Sequence, residues 1–236
     1  MDFIQPNDFD YMQGIDAFPA YIYKAKYHFD FKSLQSKIDD YLKKSKEFST
    51  EKNLGDPEAG NAITGVHFNH EFRGAGEYPP PHMWDEFTHF FGFLELSIPF
   101  LMNEWFGVDH AFNMNCGESW INVHRKGGWT TAHHHQNATI SIAAYLEVPE
   151  NSGNFLIENP LRPYKCSEPL AQGYLSDKIW GPIEVESGDV LFFPGWLTHK
   201  TEKSKTDNPR YVLSTNYQVC PPGPSGKRFT YAGEDY

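Results

Sequence analysis

Three consecutive histidines, in the run Thr131–His135, are the strongest chemical feature of this sequence. On an extended backbone, residues two apart project to the same side, so His133 and His135 can reach one metal ion while His134 cannot join them. His199 follows a predicted strand and the turn Pro194-Gly195, a position from which it can supply a third ligand. Imidazole binds iron, zinc, copper and nickel alike, so these residues predict a metal site without naming the metal. The alternative is that the three histidines occur together by chance or form a loose metal site on the surface.

Arg210 is the second feature, because it begins a segment, Arg210–Cys220, that alternates like a strand. Arg210, Ser214 and Asn216 share one face of it, and the aromatic face opposite is expected to pack against helices. Arg210 would then point into the fold, where an unpaired charge is costly and a carboxylate partner is needed. That carboxylate can come from a protein Asp or Glu or from an acidic ligand. On the residues alone, the protein side chain is favoured.

The spacing of apolar residues changes along the chain, and this spacing predicts the elements that carry the histidines and Arg210. From about Cys116 the apolar residues recur every second position, and Thr139–Val148 reads as a half-buried strand. Ser187-Gly188 is typical of a tight hairpin turn. Many short strands without alternating helices predict a sandwich or jelly roll. The other predicted strands are Ser119–His124, Asn154–Glu158, Ile183–Glu186, Asp189–Phe193 and Arg210–Cys220.

The first half of the chain favours helices and loops. Asp30 is expected to cap a helix that begins at Phe31, and a second helix contains Pro99, which kinks or restarts it, and stops near Gly107. We expect one domain over residues 1–236: a helical and loop support region at 1–115, a jelly-roll core at 116–220 and a C-terminal tail at 221–236. The predicted class is mainly β with flanking N-terminal helices.

Composition excludes some functions. The net charge of −11 argues against affinity for a phosphate backbone, so no nucleic-acid partner is expected. No apolar run approaches the roughly 18 residues of a membrane span, and the N-terminus shows no export signal. Three cysteines without metal-type spacing favour free thiols in a reducing cytoplasm, which is the host cytoplasm if the chain is phage-encoded.

The ordered motifs resemble a known family. His133-x-His135, then Gly188–Pro194 with Leu197–His199, and then Arg210–Asn216 resemble a group of 2-oxoglutarate/Fe(II) oxygenases of bacteria and phages, within the prolyl-hydroxylase-like superfamily. The likeness covers roughly residues 61–220. Further motifs of the group are Ser119–Asn122, Tyr145–Pro149, Ser152-Gly153 and Glu158–Pro160.

This resemblance implies a double-stranded β-helix that binds Fe(II) and 2-oxoglutarate. It implies that Arg210 binds the far carboxylate of 2-oxoglutarate with help from Ser214. Asn122 is a further candidate for this cosubstrate site, with a structural hydrogen bond as its alternative role. The implied reaction is hydroxylation of an unidentified substrate with release of succinate and carbon dioxide.

One position departs from the family pattern. Most of the superfamily has a carboxylate where this chain has His135. Three explanations stay open: a genuine three-histidine iron site, which we favour, a carboxylate such as Glu158 recruited from a neighbouring strand, or a site that binds metal without turnover. Asp189 is a further carboxylate to be tested.

The substrate is not readable from the sequence. The insertion Leu161–Gly181 is expected to form a lid or substrate wall, whose candidate residues are Trp129, Tyr164, Trp180 and Trp196. A small molecule or a protein or peptide substrate fits such a wall. Two other functions stay open: a three-histidine cupin dioxygenase or isomerase that does not use 2-oxoglutarate, and a non-catalytic jelly-roll binding module.

Overall fold

The computed structural model describes residues 12–17, 20–48, 61–63, 79–107, 112–161 and 179–220. These ranges contain two α-helices, α1 (Phe31–Phe48) and α2 (Thr88–Phe106), with two short 3-10 turns before α2. The strands in these ranges are β1 (Met12–Ala17), β2 (Ala20–Lys26), β3 (Asn61–Ile63), β4 (Asn113–His124), β5 (Ile140–Glu147), β6 (Phe155–Glu158), β7 (Trp180–Ile183), β8 (Asp189–Pro194), β9 (His199–Thr201) and β10 (Arg210–Cys220).

The strands form two sheets in which every neighbouring pair is antiparallel. The larger sheet has the order β1-β2-β8-β5-β10-β4-β3, and the smaller has the order β7-β6-β9. The prediction of a mainly β fold with flanking helices is confirmed. From β5 onward the chain passes repeatedly between the sheets, which brings residues far apart in sequence to one interior.

The region at residues 1–115, predicted as a helical and loop support region, also contains strands. β1, β2 and β3 lie in this region and extend the larger sheet at both edges. β2 pairs with β8, and the Lys24 ammonium lies 2.8 Å from the Asp189 carboxylate. This pairing joins residues more than 160 positions apart, so no local periodicity signals it.

The larger sheet is buried on both faces, which corrects the prediction of a half-buried strand at β5. Ile140 and Ile142 pack on the helical side with α1 and α2 residues. Ala143 and Tyr145 point the other way and pack with Phe155 of the smaller sheet. Because helices cover one face and a second sheet covers the other, the strand needs apolar residues at both parities.

The start of α1 and the end of α2 lie where the sequence predicted them. The Asp30 carboxylate accepts a hydrogen bond from the Ser33 backbone N–H at 3.4 Å and caps α1. α2 continues through Pro99 without restarting, and it stops at Gly107, whose φ of 63° is the left-handed conformation that favours glycine. Over the described part of the chain, no helix combines the length and apolar character that a bilayer span requires.

The turn at Ser187-Gly188 is present but is not a hairpin. It leads from β7 in the smaller sheet to β8 in the larger one, and these two strands do not pair. β7 ends at Ile183, so the strand predicted at Ile183–Glu186 lies too far along the chain. The end of the turn is already held on the larger sheet, because the Gly188 N–H donates to the Tyr145 carbonyl of β5 at 2.7 Å.

Candidate active site

The fold brings His133, His135 and His199 together. One ring nitrogen of each lies within 4.8 Å of the corresponding nitrogen of the others. Their ring centroids are 4.3 Å apart for His133 and His199, 5.0 Å for His133 and His135, and 5.2 Å for His135 and His199. Three imidazoles at these separations can coordinate one ion.

Backbone hydrogen bonds set the positions of the three residues. His133 and His199 form an antiparallel bridge, with N–H to carbonyl distances of 3.0 and 2.9 Å in the two directions. The His135 N–H donates to the Gly195 carbonyl at 2.8 Å. These bonds hold the loop before β5 against the segment that follows β8. His133 and His135 therefore lie beside His199.

The rings of His133 and His199 are oriented by carbonyl oxygens. Nδ1 of His133 lies 2.8 Å from the Thr131 carbonyl, and Nδ1 of His199 lies 2.8 Å from the Leu197 carbonyl. A carbonyl can only accept, so each Nδ1 carries the proton and each Nε2 keeps a free lone pair. This is the tautomer that metal coordination through Nε2 requires.

Burial keeps these histidines neutral. It lowers the pKa of His133, lowers the pKa of His135 to about 3 and lowers that of His199 well below its usual value. For His135 and His199 the neighbouring histidines lower the pKa further, because a second positive charge nearby is unfavourable. Since a metal ligand must be deprotonated, the cluster is ready to bind a cation at neutral pH.

The ring of His135 is positioned by side chains instead. The Asn216 amide nitrogen lies 3.2 Å from Nδ1 of His135 and donates to the Glu118 carboxylate at 3.1 Å. The Ser141 hydroxyl donates to the Asn216 amide oxygen at 2.8 Å. Glu118, Asn216 and Ser141 therefore form a polar chain on β4, β10 and β5 that ends at the third histidine.

Arg210 is fully buried at the far end of the same face of β10. Its guanidinium donates to the Gly153 carbonyl at 2.6 Å and to Nδ1 of His124 at 3.1 Å. Burial, and then the Arg210 charge, lower the pKa of His124 to about 3, so His124 is neutral and can accept this bond. Within the described ranges no Asp or Glu forms an ion pair with Arg210, and Nε of Arg210 has no hydrogen-bond partner. A buried guanidinium in this state fits an acidic ligand.

Asn122 and Ser214 lie between Arg210 and the histidines. The Asn122 amide donates to the Ser214 hydroxyl at 3.1 Å across the β4–β10 pair. Ser214 is four residues from Arg210 and two from Asn216, so it lies nearer the histidine end of the strand. Both predicted residues point into the interior between the sheets, and they contact each other there.

The predicted aromatic wall is only partly described. Tyr164 lies outside the described residues. Trp180 is on β7 rather than on a lid loop, and the Lys200 ammonium lies 3.9 Å from its ring centroid. Trp129 is half-buried near Lys203, whereas Trp196 is 53% exposed in the turn after β8.

The two carboxylates considered as alternative ligands are not part of the histidine cluster. Asp189 is buried in ion pairs with Lys24 and Lys26 at 2.8 and 3.4 Å. Among the residues that the structure describes, the group able to hold a metal contains histidines and no carboxylate, and Glu158 is not included. The donor set therefore fits a divalent ion that accepts imidazole.

Sequence reasoning missed several residues of the site. The carbonyls of Thr131, Leu197 and Gly153 act through the backbone, which no residue type signals. Glu118 was detectable, because it lies on β4 at the same parity as Asn122, a residue already predicted to face inward.

Comparison with known proteins finds a family model that matches this region. Residues 118–216 match the family described as "Putative 2OG-Fe(II) oxygenase". The match confirms the predicted resemblance, and it runs from Glu118 to Asn216, so it includes the three histidines and Arg210. Together with the histidine cluster, it confirms Fe(II) and 2-oxoglutarate as the predicted cofactors.

A methylphosphonate hydroxylase of Gimesia maris is 29% identical over 89 residues, which cover 36% of this chain and 34% of that protein. The match thus spans about a third of the curated relative.

Two solved structures align with this chain at low sequence identity. The non-haem alpha-ketoglutarate-dependent carbocyclase SnoK from nogalamycin biosynthesis aligns with a TM-score of 0.54 and 15% identity, over 91% of this chain and 88% of that one. A prolyl-4-hydroxylase from Pseudomonas putida aligns with a TM-score of 0.48 and 10% identity, over 84% and 91%. The likeness to SnoK shows that this chain shares the fold of that enzyme.

Proposed function

We propose that this chain is an Fe(II)- and 2-oxoglutarate-dependent hydroxylase that releases succinate and carbon dioxide. His133, His135 and His199 would hold the metal, and Arg210 would bind the far carboxylate of 2-oxoglutarate. Ser214 and Asn122 would line the space between them. The family match over residues 118–216 supports the class, and the three-histidine cluster supports the metal.

We also propose that the two sheets form a double-stranded β-helix within one domain over residues 1–236. The order of strands supports this, because β5, β8 and β10 lie in the larger sheet while β6, β7 and β9 lie in the smaller one. The chain thus alternates between two facing sheets whose interior contains both the histidines and Arg210. The cytoplasmic location stays a prediction from the sequence.

The observation that carries the proposal is the state of Arg210. A fully buried guanidinium costs several kcal/mol of desolvation unless an anion compensates it. Its hydrogen-bond partners among the described residues are a carbonyl and a neutral imidazole. The charge of Glu202 acts on Arg210 from a distance, and the Glu202 carboxylate accepts a hydrogen bond from the Asn154 N–H. A dicarboxylate that coordinates the metal at one end and reaches Arg210 at the other would supply the missing anion.

The protein's own residues would position the reactants. When bound, the iron with its 2-oxo acid supplies the oxidising chemistry. The carbonyls of Thr131 and Leu197 hold two ligand rings in the coordinating tautomer. Phe155 and Phe193 pack at 5.3 and 4.7 Å from the His199 ring centroid and exclude water from that side. A small molecule or a peptide is the proposed substrate, with Trp129, Tyr164, Trp180 and Trp196 as candidates for its wall.

The test compares the wild-type chain with Arg210→Met, which removes the charge and keeps most of the volume. We expect the iron-loaded wild type to release succinate from 2-oxoglutarate and Arg210→Met to lose at least about 100-fold in 2-oxoglutarate affinity, the scale of two charge-assisted hydrogen bonds. Metal affinity should stay unchanged in the variant. Activity that is indifferent to 2-oxoglutarate would favour the cupin alternative, and binding of glycan or peptide without any metal would favour the binding module.

A further inference from the structure

A cavity of about 170 Å³ lies against His135, on the side away from Arg210. Its lining comes from the middle of β4, the second half of β10 and the loop before β5. The lining side chains that matter here are Glu118, His135, Gln136, Asn137, Asn216 and Gln218. A proposed metal ligand thus forms part of its wall, so a molecule in the cavity would lie beside the metal.

The cavity is separate from the proposed cosubstrate position. Arg210 pairs with His124 and Asn216 pairs with Glu118. Arg210 and Asn216 are therefore six residues apart on β10, which is about 20 Å along a strand. The histidines lie near the Asn216 end. A dicarboxylate between the metal and Arg210 would extend along β10 toward Arg210, whereas the cavity is lined by Asn216 and Gln218, farther along β10 from Arg210.

The lining of the cavity contains one carboxylate, that of Glu118, among side chains that both donate and accept hydrogen bonds. Oε2 of Glu118 accepts a hydrogen bond from Asn216, and no partner for its Oε1 lies within the described part of the chain. The other polar side chains in the lining are carboxamides and the neutral His135. No Lys or Arg of the described residues lines the cavity.

We infer that this cavity binds the substrate, and that the substrate part it takes is a hydroxyl- or amino-bearing group, uncharged or cationic, with Glu118 as the specificity-determining acceptor. A carboxylate accepts hydrogen bonds and attracts cations, and it repels an anionic group at this distance. A volume of about 170 Å³ lies below the range of about 300–1,000 Å³ for whole drug-sized ligands, so it fits one sugar ring or a short amine. The inference rests on the proposed function, because it takes the histidines as the metal site.

Three sugars of one ring type that differ in charge provide the probes: glucosamine (cationic), glucose (neutral) and glucuronate (anionic). Each is titrated into protein loaded with Mn²⁺ and 2-oxoglutarate, and the relaxation of its proton signals is measured by nuclear magnetic resonance. Protein loaded with Zn²⁺ is the diamagnetic control. Relaxation by Mn²⁺ reports that the probe lies beside the metal, and the titration gives its affinity without any turnover.

We expect glucosamine to bind about tenfold or more tightly than glucuronate, the scale of one charge-assisted hydrogen bond, with glucose between them. Glu118→Gln should reduce this ratio to less than about threefold. Gln218→Glu adds a second carboxylate to the wall and should widen the ratio. The control Glu184→Gln changes an exposed carboxylate outside the cavity lining and should leave the ratio unchanged.

The inference is overturned if glucuronate binds as tightly as glucosamine, if both cavity variants leave the ratio unchanged, or if no probe is relaxed by Mn²⁺. Calorimetric titration of 2-oxoglutarate into the same preparations separates this result from a failure of the proposed function. When 2-oxoglutarate binds and the probes do not, only the substrate inference fails. When 2-oxoglutarate does not bind the metal-loaded wild type, the proposed function itself fails.

Discussion

At the scale of single residues, the candidate site combines three neutral histidines with one buried arginine. A dication held by imidazoles alone keeps its full charge, whereas a carboxylate ligand would neutralise part of it. His133 and His135 were predicted from their spacing of two, and the structure places them beside His199. The residue spacing could not show what orients each ring, because two of the three orienting groups are backbone carbonyls.

A first prediction concerns the position where the family has a carboxylate. His135→Asp should bind Mn²⁺ within about tenfold of the wild type, because a carboxylate replaces a neutral ligand by a charged one. His135→Ala should lower the Mn²⁺ affinity by at least about 10- to 100-fold, which is the loss typical when a group that only hydrogen-bonds to a metal ligand is removed. Equilibrium titration against a competing chelator measures both, and exposed His134→Ala is the control. Equal affinity of His135→Ala and wild type would show that His135 is not a ligand.

A second prediction concerns pH and the metal-free protein. Burial lowers the pKa of His124 and of His135 to about 3, whereas an unfolded chain has a histidine pKa of about 6.5. Between these values the unfolded state binds more protons, so the free energy of unfolding should fall as the pH drops from about 6.5 toward about 3. Urea unfolding midpoints at several pH values, with a chelator present, measure this slope.

The matched variants for this slope are His124→Gln and His134→Gln. Loss of the buried His124 should make the slope shallower, and loss of the exposed His134 should not. A stability that stays constant or rises on acidification would contradict the burial of neutral histidines.

At the scale of elements, the site depends on one close approach between two loops. Gly195 follows β8 and packs so tightly on the loop before β5 that a Cβ there would lie 2.1 Å from the Ala138 carbonyl oxygen. The same contact holds the His135 N–H on the Gly195 carbonyl. Local pattern predicted most of the core strands, including β10 with its full bounds. It could not predict β2 or the crossing at Gly188, because those depend on pairing between distant segments.

A third prediction follows from this contact. Gly195→Ala should lower the free energy of unfolding by about 1–3 kcal/mol, the cost of overpacking, and should weaken metal binding because the backbone of Ala138 must move. Denaturant unfolding and Mn²⁺ titration give the two values. Gly117→Ala is the control, since its new Cβ would meet its nearest neighbour at 3.9 Å. Unchanged metal affinity in a destabilised Gly195→Ala would mean that this contact does not position His135.

At the scale of the whole molecule, an aromatic core joins the helices to the larger sheet. Phe93 of α2 contacts Phe192 of β8 edge to face at 6.2 Å and also packs on Tyr27 and Phe90. The sequence predicted a helix that contains Pro99 and stops near Gly107. It did not predict the packing of that helix on β8, because both faces of the sheet are apolar and either could have met a helix.

A fourth prediction tests whether the helices and the sheets unfold as one domain. Phe93→Ala should cost about 3–5 kcal/mol, and hydrogen exchange should show that α2 and β5 lose protection together. Phe100→Ala, at a position 47% exposed on the same helix, should cost less than about 0.5 kcal/mol. Loss of protection in α2 alone, with β5 unchanged, would indicate a separable helical unit.

The most direct test of the central proposal is a crystal structure of the chain with Fe(II) and 2-oxoglutarate, prepared under nitrogen. We expect the iron to be bound by His133, His135 and His199, and the far carboxylate of 2-oxoglutarate to lie on Arg210. The result that would contradict the proposal is iron bound by Glu158 with His135 turned away, or 2-oxoglutarate bound without contact to Arg210.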